Sequence, residues 1–162
     1  MKPPFYMSSN IKNKKISNEN TNEVATSIYK NAESYYLVSI NAMQTLFPKA
    51  MPAITVNAVF SCELFIKSIL TLENRQFNKG HLIHQLFCDI KDNSLKSRII
   101  SNLSNCGYDF DSYIKEISNA FSISRYIYEY EVRSCDLSFV LSLSKALYTE
   151  CSQLFNEENN NV

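Results

Sequence analysis

Residues 51–72, M-P-A-I-T-V-N-A-V-F-S-C-E-L-F-I-K-S-I-L-T-L, constrain this chain more than any other stretch. Ala58, Val59, Phe60, Cys62, Leu64, Phe65, Ile66, Ile69, Leu70 and Leu72 fall on nearly every side of a helix drawn through them. A helix that is apolar almost all round must be enclosed, by other helices or by lipid. Lipid is disfavoured because Asn57, Glu63 and Lys67 interrupt the run, and charge at bilayer depth is costly. The stretch is therefore predicted to be the central helix of an all-α, antiparallel bundle of about five to six helices. Glu63 and Lys67 are four apart, hence neighbours on one face. In apolar surroundings at least one of them is expected to be half-buried, and a half-buried carboxylate needs a partner.

The rest of the chain supplies the enclosing helices. Two glycines and four prolines in 162 residues argue for long helices and against a turn-rich β fold. Residues 1–20 are polar and lysine-rich and are expected to form a mobile arm. A single domain is predicted over 21–157, with 158–162 a frayed tail. Thr21 or Asn22 is expected to cap a first helix whose apolar face carries Val24, Ala25, Ile28, Ala32, Tyr35, Tyr36, Ala42, Met43, Leu46 and Phe47. Pro48 ends it, and Pro52 suits the first turn of the central helix, which is expected to run to about Asn74.

A polar connection, 75–80, leads to a short helix with Leu82, Ile83, Leu86, Phe87 and Ile90 as its apolar set. Asp92 or Asn93 caps the next, with Leu95, Ile99, Ile100 and Leu103, and Gly107 stops it. Asp109 or Asp111 starts a long helix with Phe110, Ile114, Ile117, Phe121 and Tyr128 inward. Beside that stripe lies a polar one of Ser118, Ser122, Arg125 and Glu129. Asp136 caps the last helix, whose buried side is Leu137, Val140, Leu141, Leu147, Cys151, Leu154 and Phe155.

Several function classes are poorly served by this sequence. A formal net charge of zero gives no overall field toward DNA or an anionic membrane. Glycine-rich phosphate loops, H-E-x-x-H and G-x-S-x-G are all missing, so no cofactor is expected. The five cysteines are widely spaced and contain no C-x-x-C, which suits reduced, buried thiols in a cytoplasmic protein. His81 and His84, three apart, lack an evident third ligand, so no metal is expected either.

Two features could still carry function. Arg125 is the natural partner for a Glu63–Lys67 network, because it lies on the polar stripe of another long helix. Such a network is either structural or a ligand site, since both use the same residue types. The segment R-Y-I-Y-E-Y-E, 125–131, concentrates tyrosines beside an arginine, and Tyr126 and Tyr128 suit partner contacts or base stacking.

Three blocks resemble the HEPN superfamily. Residues 61–70, S-C-E-L-F-I-K-S-I-L, are similar to the E-L-x-x-K-x-L-L helix of many prokaryotic members. Residues 80–87, G-H-L-I-H-Q-L-F, are similar to their G-H-x-L-x-x-L-F turn, and 120–129, A-F-S-I-S-R-Y-I-Y-E, to their A-F-x-x-x-R-Y-x-Y-E segment. The resemblance implies a helical bundle paired as a homodimer, working in a toxin–antitoxin, antiphage or RNA-processing setting. Active HEPN ribonucleases carry an R-x(4–6)-H motif at the dimer cleft. Here Glu129 or Tyr130 stands where that histidine belongs after Arg125, and no histidine follows residue 84. Arg75 and His81 match the spacing but precede the helix on which the family places the motif. The expectation is a binding or regulatory domain that recognises a protein or RNA partner, with no catalytic residue. The alternative is a metal-independent endoribonuclease with an atypical site of Arg125, Glu129, Tyr130 and His81.

Overall fold

The structure, a computed structural model, describes residues 18–74, 82–118 and 136–159. Its helices are α1 (Asn18–Leu46), α2 (Met51–Leu72), α3 (Ile83–Cys88), α4 (Asn93–Ser104), α5 (Phe110–Ile117) and α6 (Leu137–Asn159). No strand occurs among the described residues. The protein is an all-α helical bundle.

Contacts between aromatic rings fix how the three long helices run. Tyr35 meets Phe60 edge-on at 4.6 Å between centroids, and Tyr29 lies 6.1 Å from Phe65. Numbers falling on α1 pair with numbers rising on α2, so the two form an antiparallel hairpin. Tyr36 stacks on Tyr148 at 4.7 Å and Tyr29 on Phe155 at 4.6 Å, so α1 is antiparallel to α6 as well. It follows that α2 and α6 run the same way, with Cys62 against Val140 and Phe65 against Tyr148 and Cys151. Phe65 is fully buried where the three helices meet. Truncating such a ring to alanine typically costs about 3–5 kcal/mol.

The shorter helices close the bundle. Helix α3 packs on α2 and α5, and α4 packs on α5 and α6. Phe87 of α3 meets Phe110 at 4.7 Å, while Tyr108 and Tyr113 flank the buried Phe139. The enclosure of α2 follows from its composition. It is long and apolar enough to cross a bilayer, with a mean hydropathy of 1.6, yet 61% of that window is buried within the bundle.

The punctuation obeys the local chemistry. Pro52 sits in the first turn of α2. Asp92 caps α4, its Oδ1 accepting from the N–H groups of Ser94 at 2.8 Å and Leu95 at 3.0 Å. These bonds, the one from Leu95 foremost, hold its carboxyl below the usual range. Asp136 accepts from the Phe139 N–H at 3.1 Å and so opens α6. Gly107 takes φ +85°, a left-handed conformation that ends the turn after α4.

Some expectations need correction. Helix α1 starts at Asn18, ahead of Thr21, and α6 continues to Asn159. Helix α2 stops at Leu72 rather than Asn74, because Asn74 adopts φ +54°. The predicted face of α1 is split. Ala25, Ala32 and Tyr36 are buried, but Val24, Tyr35, Leu46 and Phe47 are exposed. Leu82 is exposed rather than part of the core. Buried thiols are found at Cys62 and Cys151, whereas Cys88 and Cys106 face solvent. The expected continuation of α5 toward Phe121 and Tyr128 lies outside the described residues.

Candidate functional site

The Glu63–Lys67 pair forms as the spacing requires. Lys67 Nζ lies 2.6 Å from Glu63 Oε1 across one turn of α2. The Glu63 side chain is 1% exposed and that of Lys67 14%. The carboxylate is therefore more deeply enclosed than the half-burial expected, and the ammonium reaches the edge of the bundle along its own apolar stem. A buried carboxylate is tolerable only when paired, and this one is. At this depth Glu63 cannot meet a dissolved substrate.

The seam between α2 and α6 is polar on a small scale. The hydroxyls of Ser61 and Ser144, both fully buried, hydrogen-bond to each other, and each helix is small at that contact. The Cys62 thiol lies 3.8 Å from the Val140 carbonyl oxygen and the Cys151 thiol 3.9 Å from that of Phe65. Burial pushes the Cys151 thiol up to about 12, so it stays protonated and unreactive at neutral pH.

Of the other residues singled out in the sequence, Arg125, Tyr126, Tyr128, Glu129, Tyr130 and His81 lie outside the described residues. His84 is described and half-buried. Its backbone N–H donates to Ser118 Oγ at 2.9 Å, which ties α3 to the end of α5. Its ring Nε2 lies 3.7 Å from the Sγ of Cys88, one turn on. Among the described residues no group of three or more His, Cys, Asp or Glu side chains could hold a metal ion.

The structure adds groupings that sequence reasoning did not name. Arg98 Nε donates to Glu150 Oε2 at 2.7 Å, joining α4 to α6, and the Glu150 side chain is only 6% exposed. The Glu33 carboxylate acts electrostatically on the hydroxyls of both Tyr29 and Tyr148. Burial, and then the Glu33 charge, push Tyr29 up to about 12 and raise Tyr148 as well. Glu73, just past α2, accepts from the backbone N–H of Lys91 through both carboxylate oxygens and from that of Asp92 at 2.9 Å. That clamp fixes the turn between α3 and α4. Tyr29 and Glu33 are four apart, a spacing the sequence does offer, but nothing local links them to Tyr148.

Beyond the Glu73 clamp, α3, α4 and α5 border an open cleft of about 390 Å³. His84, Phe87 and Cys88 form one wall, Lys96 and Ile100 another, and Phe110 and Asp111 a third. Its size falls in the range of small-molecule sites. Fold and site together define an all-α bundle built round a buried ion pair, with a thiol-bearing cleft at its edge. No protein-family model, curated protein or solved structure matches the chain.

Proposed function

We propose that this chain is a HEPN-like binding domain that works as a homodimer and recognises a protein or RNA partner in a toxin–antitoxin or antiphage setting. The observation that carries this reading is the outer flank of α1. Val24, Tyr35, Val38 and Leu46 recur at helical spacing along it, and Phe47 and Met51 continue it through the turn into α2. These side chains are between 36% and 57% exposed. Residues 34–48 contain no charged side chain, so the flank has little to keep it in water. At about 200 Å² for a large side chain, the six present roughly 500 Å² per copy. Doubled across a two-fold axis, that reaches about 1,000 Å², the lower bound for a specific interface. The formal net charge of zero sets no like-charge barrier to self-association. A second copy is the occupant that fits these terms. The resemblance in residues 61–70, 80–87 and 120–129 supports the family and its setting.

The test is light scattering after size exclusion, on the full chain and on Val38→Glu and Leu46→Glu. The expected result is a dimer for the unaltered chain and monomers for both variants, with unchanged helical circular dichroism. A monomer at all concentrations refutes the homodimer. Fluorescence anisotropy with single-stranded RNA then separates the partners: RNA binding lost in Tyr126→Ala and Tyr128→Ala supports RNA. Cleavage of RNA without divalent metal, abolished by Arg125→Ala, would instead establish the endoribonuclease built from Arg125, Glu129, Tyr130 and His81.

A further inference from the structure

We propose that the cleft between α3, α4 and α5 is a thiol-exchange site, in which Cys88 is the nucleophile, His84 accepts its proton and the substrate is a small disulfide bearing carboxylates. The proposal is independent of the binding reading above. It starts from a comparison of thiols within one protein. Cys62 and Cys151 are fully buried. Cys106 is exposed, on the turn that Gly107 closes. Among the described residues, Cys88 is the exposed thiol with an imidazole at hydrogen-bonding distance, His84 Nε2 at 3.7 Å. The four-residue spacing on α3 puts both side chains on one face, and that face is a wall of the 390 Å³ cleft.

The cleft supplies what such a reaction needs. A thiolate is the attacking species, and a neighbouring base or cation raises its population. His84 is the base. Lys96 from α4 places a cation in the same cleft, where it favours thiolate and attracts carboxylates. Asp111 from α5 also lines the cleft, and Asp89 follows Cys88 in the chain. Both carboxylates oppose thiolate formation, so pairing with His84 and Lys96 has to outweigh them. Phe87, Ile100 and Phe110 give the apolar surface that a disulfide's methylene groups can cover. Two contacts hold the site in shape: the Ser118 hydroxyl on the His84 N–H, and the Glu73 carboxylate on the α3–α4 turn.

The step balances without another reagent. The Cys88 S–H proton moves to His84 Nε2. The thiolate attacks one sulfur of R–S–S–R, a bond forms between Cys88 Sγ and that sulfur, and the original S–S bond breaks. R–S⁻ leaves and takes the proton from His84. Cys88 is oxidised to a mixed disulfide and the departing half is reduced to a thiol.

The experiment treats the reduced full chain with oxidised glutathione, or with neutral iodoacetamide, and maps modification of each cysteine by peptide mass spectrometry over time. Cys106 is the internal control. At pH 7 Cys88 is expected to react about tenfold faster than Cys106, because an imidazole stands beside it to take its proton. His84→Gln should bring Cys88 down to the Cys106 rate with both reagents and leave Cys106 and the melting temperature unchanged. Lys96→Ala should slow oxidised glutathione more than iodoacetamide. Equal rates for Cys88 and Cys106, or a His84→Gln variant that keeps the difference, would overturn the site. An equal loss with both reagents in Lys96→Ala would overturn the recognition of carboxylates.

Discussion

Replacing Lys67 with methionine would keep the stem that packs on α2 and remove the ammonium. The Glu63 carboxylate would then lose the ammonium that lies 2.6 Å away, at a place where the side chain is 1% exposed. Breaking a buried pair by removing one member costs about 3–5 kcal/mol when both groups are enclosed. Lys67 is 14% exposed, so water can reach part of the way in, and a loss of about 3 kcal/mol is the expectation for Lys67→Met. Glu63→Gln should cost less, about 1–2 kcal/mol, because the ammonium left behind can extend toward solvent on its flexible stem. The double variant should cost less than the sum of the two by about 1–3 kcal/mol, the coupling expected of groups in contact. For a chain of 162 residues, about 3 kcal/mol corresponds to a fall in Tm of about 6–12 °C. The chain has no tryptophan, so helical circular dichroism during urea and thermal unfolding is the natural assay. The coupling should persist at high salt, because a buried pair is screened little. Single variants within about 0.5 kcal/mol of the unaltered chain, the level of ordinary surface changes, or strictly additive costs, would refute the reading of these two groups as a coupled, stabilising buried pair.

Further predictions follow from the same structure. Arg98→Ala should destabilise more than Glu150→Gln, by about 2–3 against about 1 kcal/mol in urea unfolding. The first leaves a carboxylate that is 6% exposed, whereas the arginine kept by the second is 48% exposed and can be hydrated. Stability should fall as pH rises through the interval 9–12. Cys151 and Tyr29 are each held up to about 12 in the fold, against 9.0 and 10.0 unfolded, so their neutral forms stabilise the fold fully below pH 9 and progressively less above it. Cys151→Ala should flatten that alkaline loss in melting curves taken across the interval. Gly107→Ala should cost about 1 kcal/mol, measured in the same way. The cost comes from the backbone alone, since φ is +85° and nothing lies within 4 Å of the added methyl group.

The central helix, its proline start, the Asp92 and Asp136 caps and the Gly107 stop were all legible, because each depends on residues within a turn or two of itself. The Glu63–Lys67 pair was legible for the same reason. What the sequence did not separate was which of two overlapping stripes on α1 turns inward. Val24, Tyr35 and Leu46 carry more apolar surface than Ala25, Ala32 and Ser39, yet the small residues are the ones fully buried. They recur every seven residues and let α1 approach the core closely, which volume alone does not reveal. Arg98 with Glu150, and Glu33 with Tyr148, were invisible because their partners are brought together only by the tertiary fold.

That inversion bears on function. In an ordinary amphipathic hairpin the charges lie outside and the bulky apolar residues inside. Here α2 carries Glu63 and Lys67 into the bundle, while Val38, Leu46, Phe47 and Met51 remain outside with no charge between residues 34 and 48. The interior is not left in deficit by this. Among the described residues, no buried side-chain nitrogen or oxygen lacks a hydrogen-bond partner. The large apolar side chains left exposed on α1 and on the turn into α2 lie outside the bundle. They line the flank that the homodimer proposal assigns to a second copy, and a two-fold pairing there would restore the usual order of apolar inside and polar outside without altering a contact within the bundle.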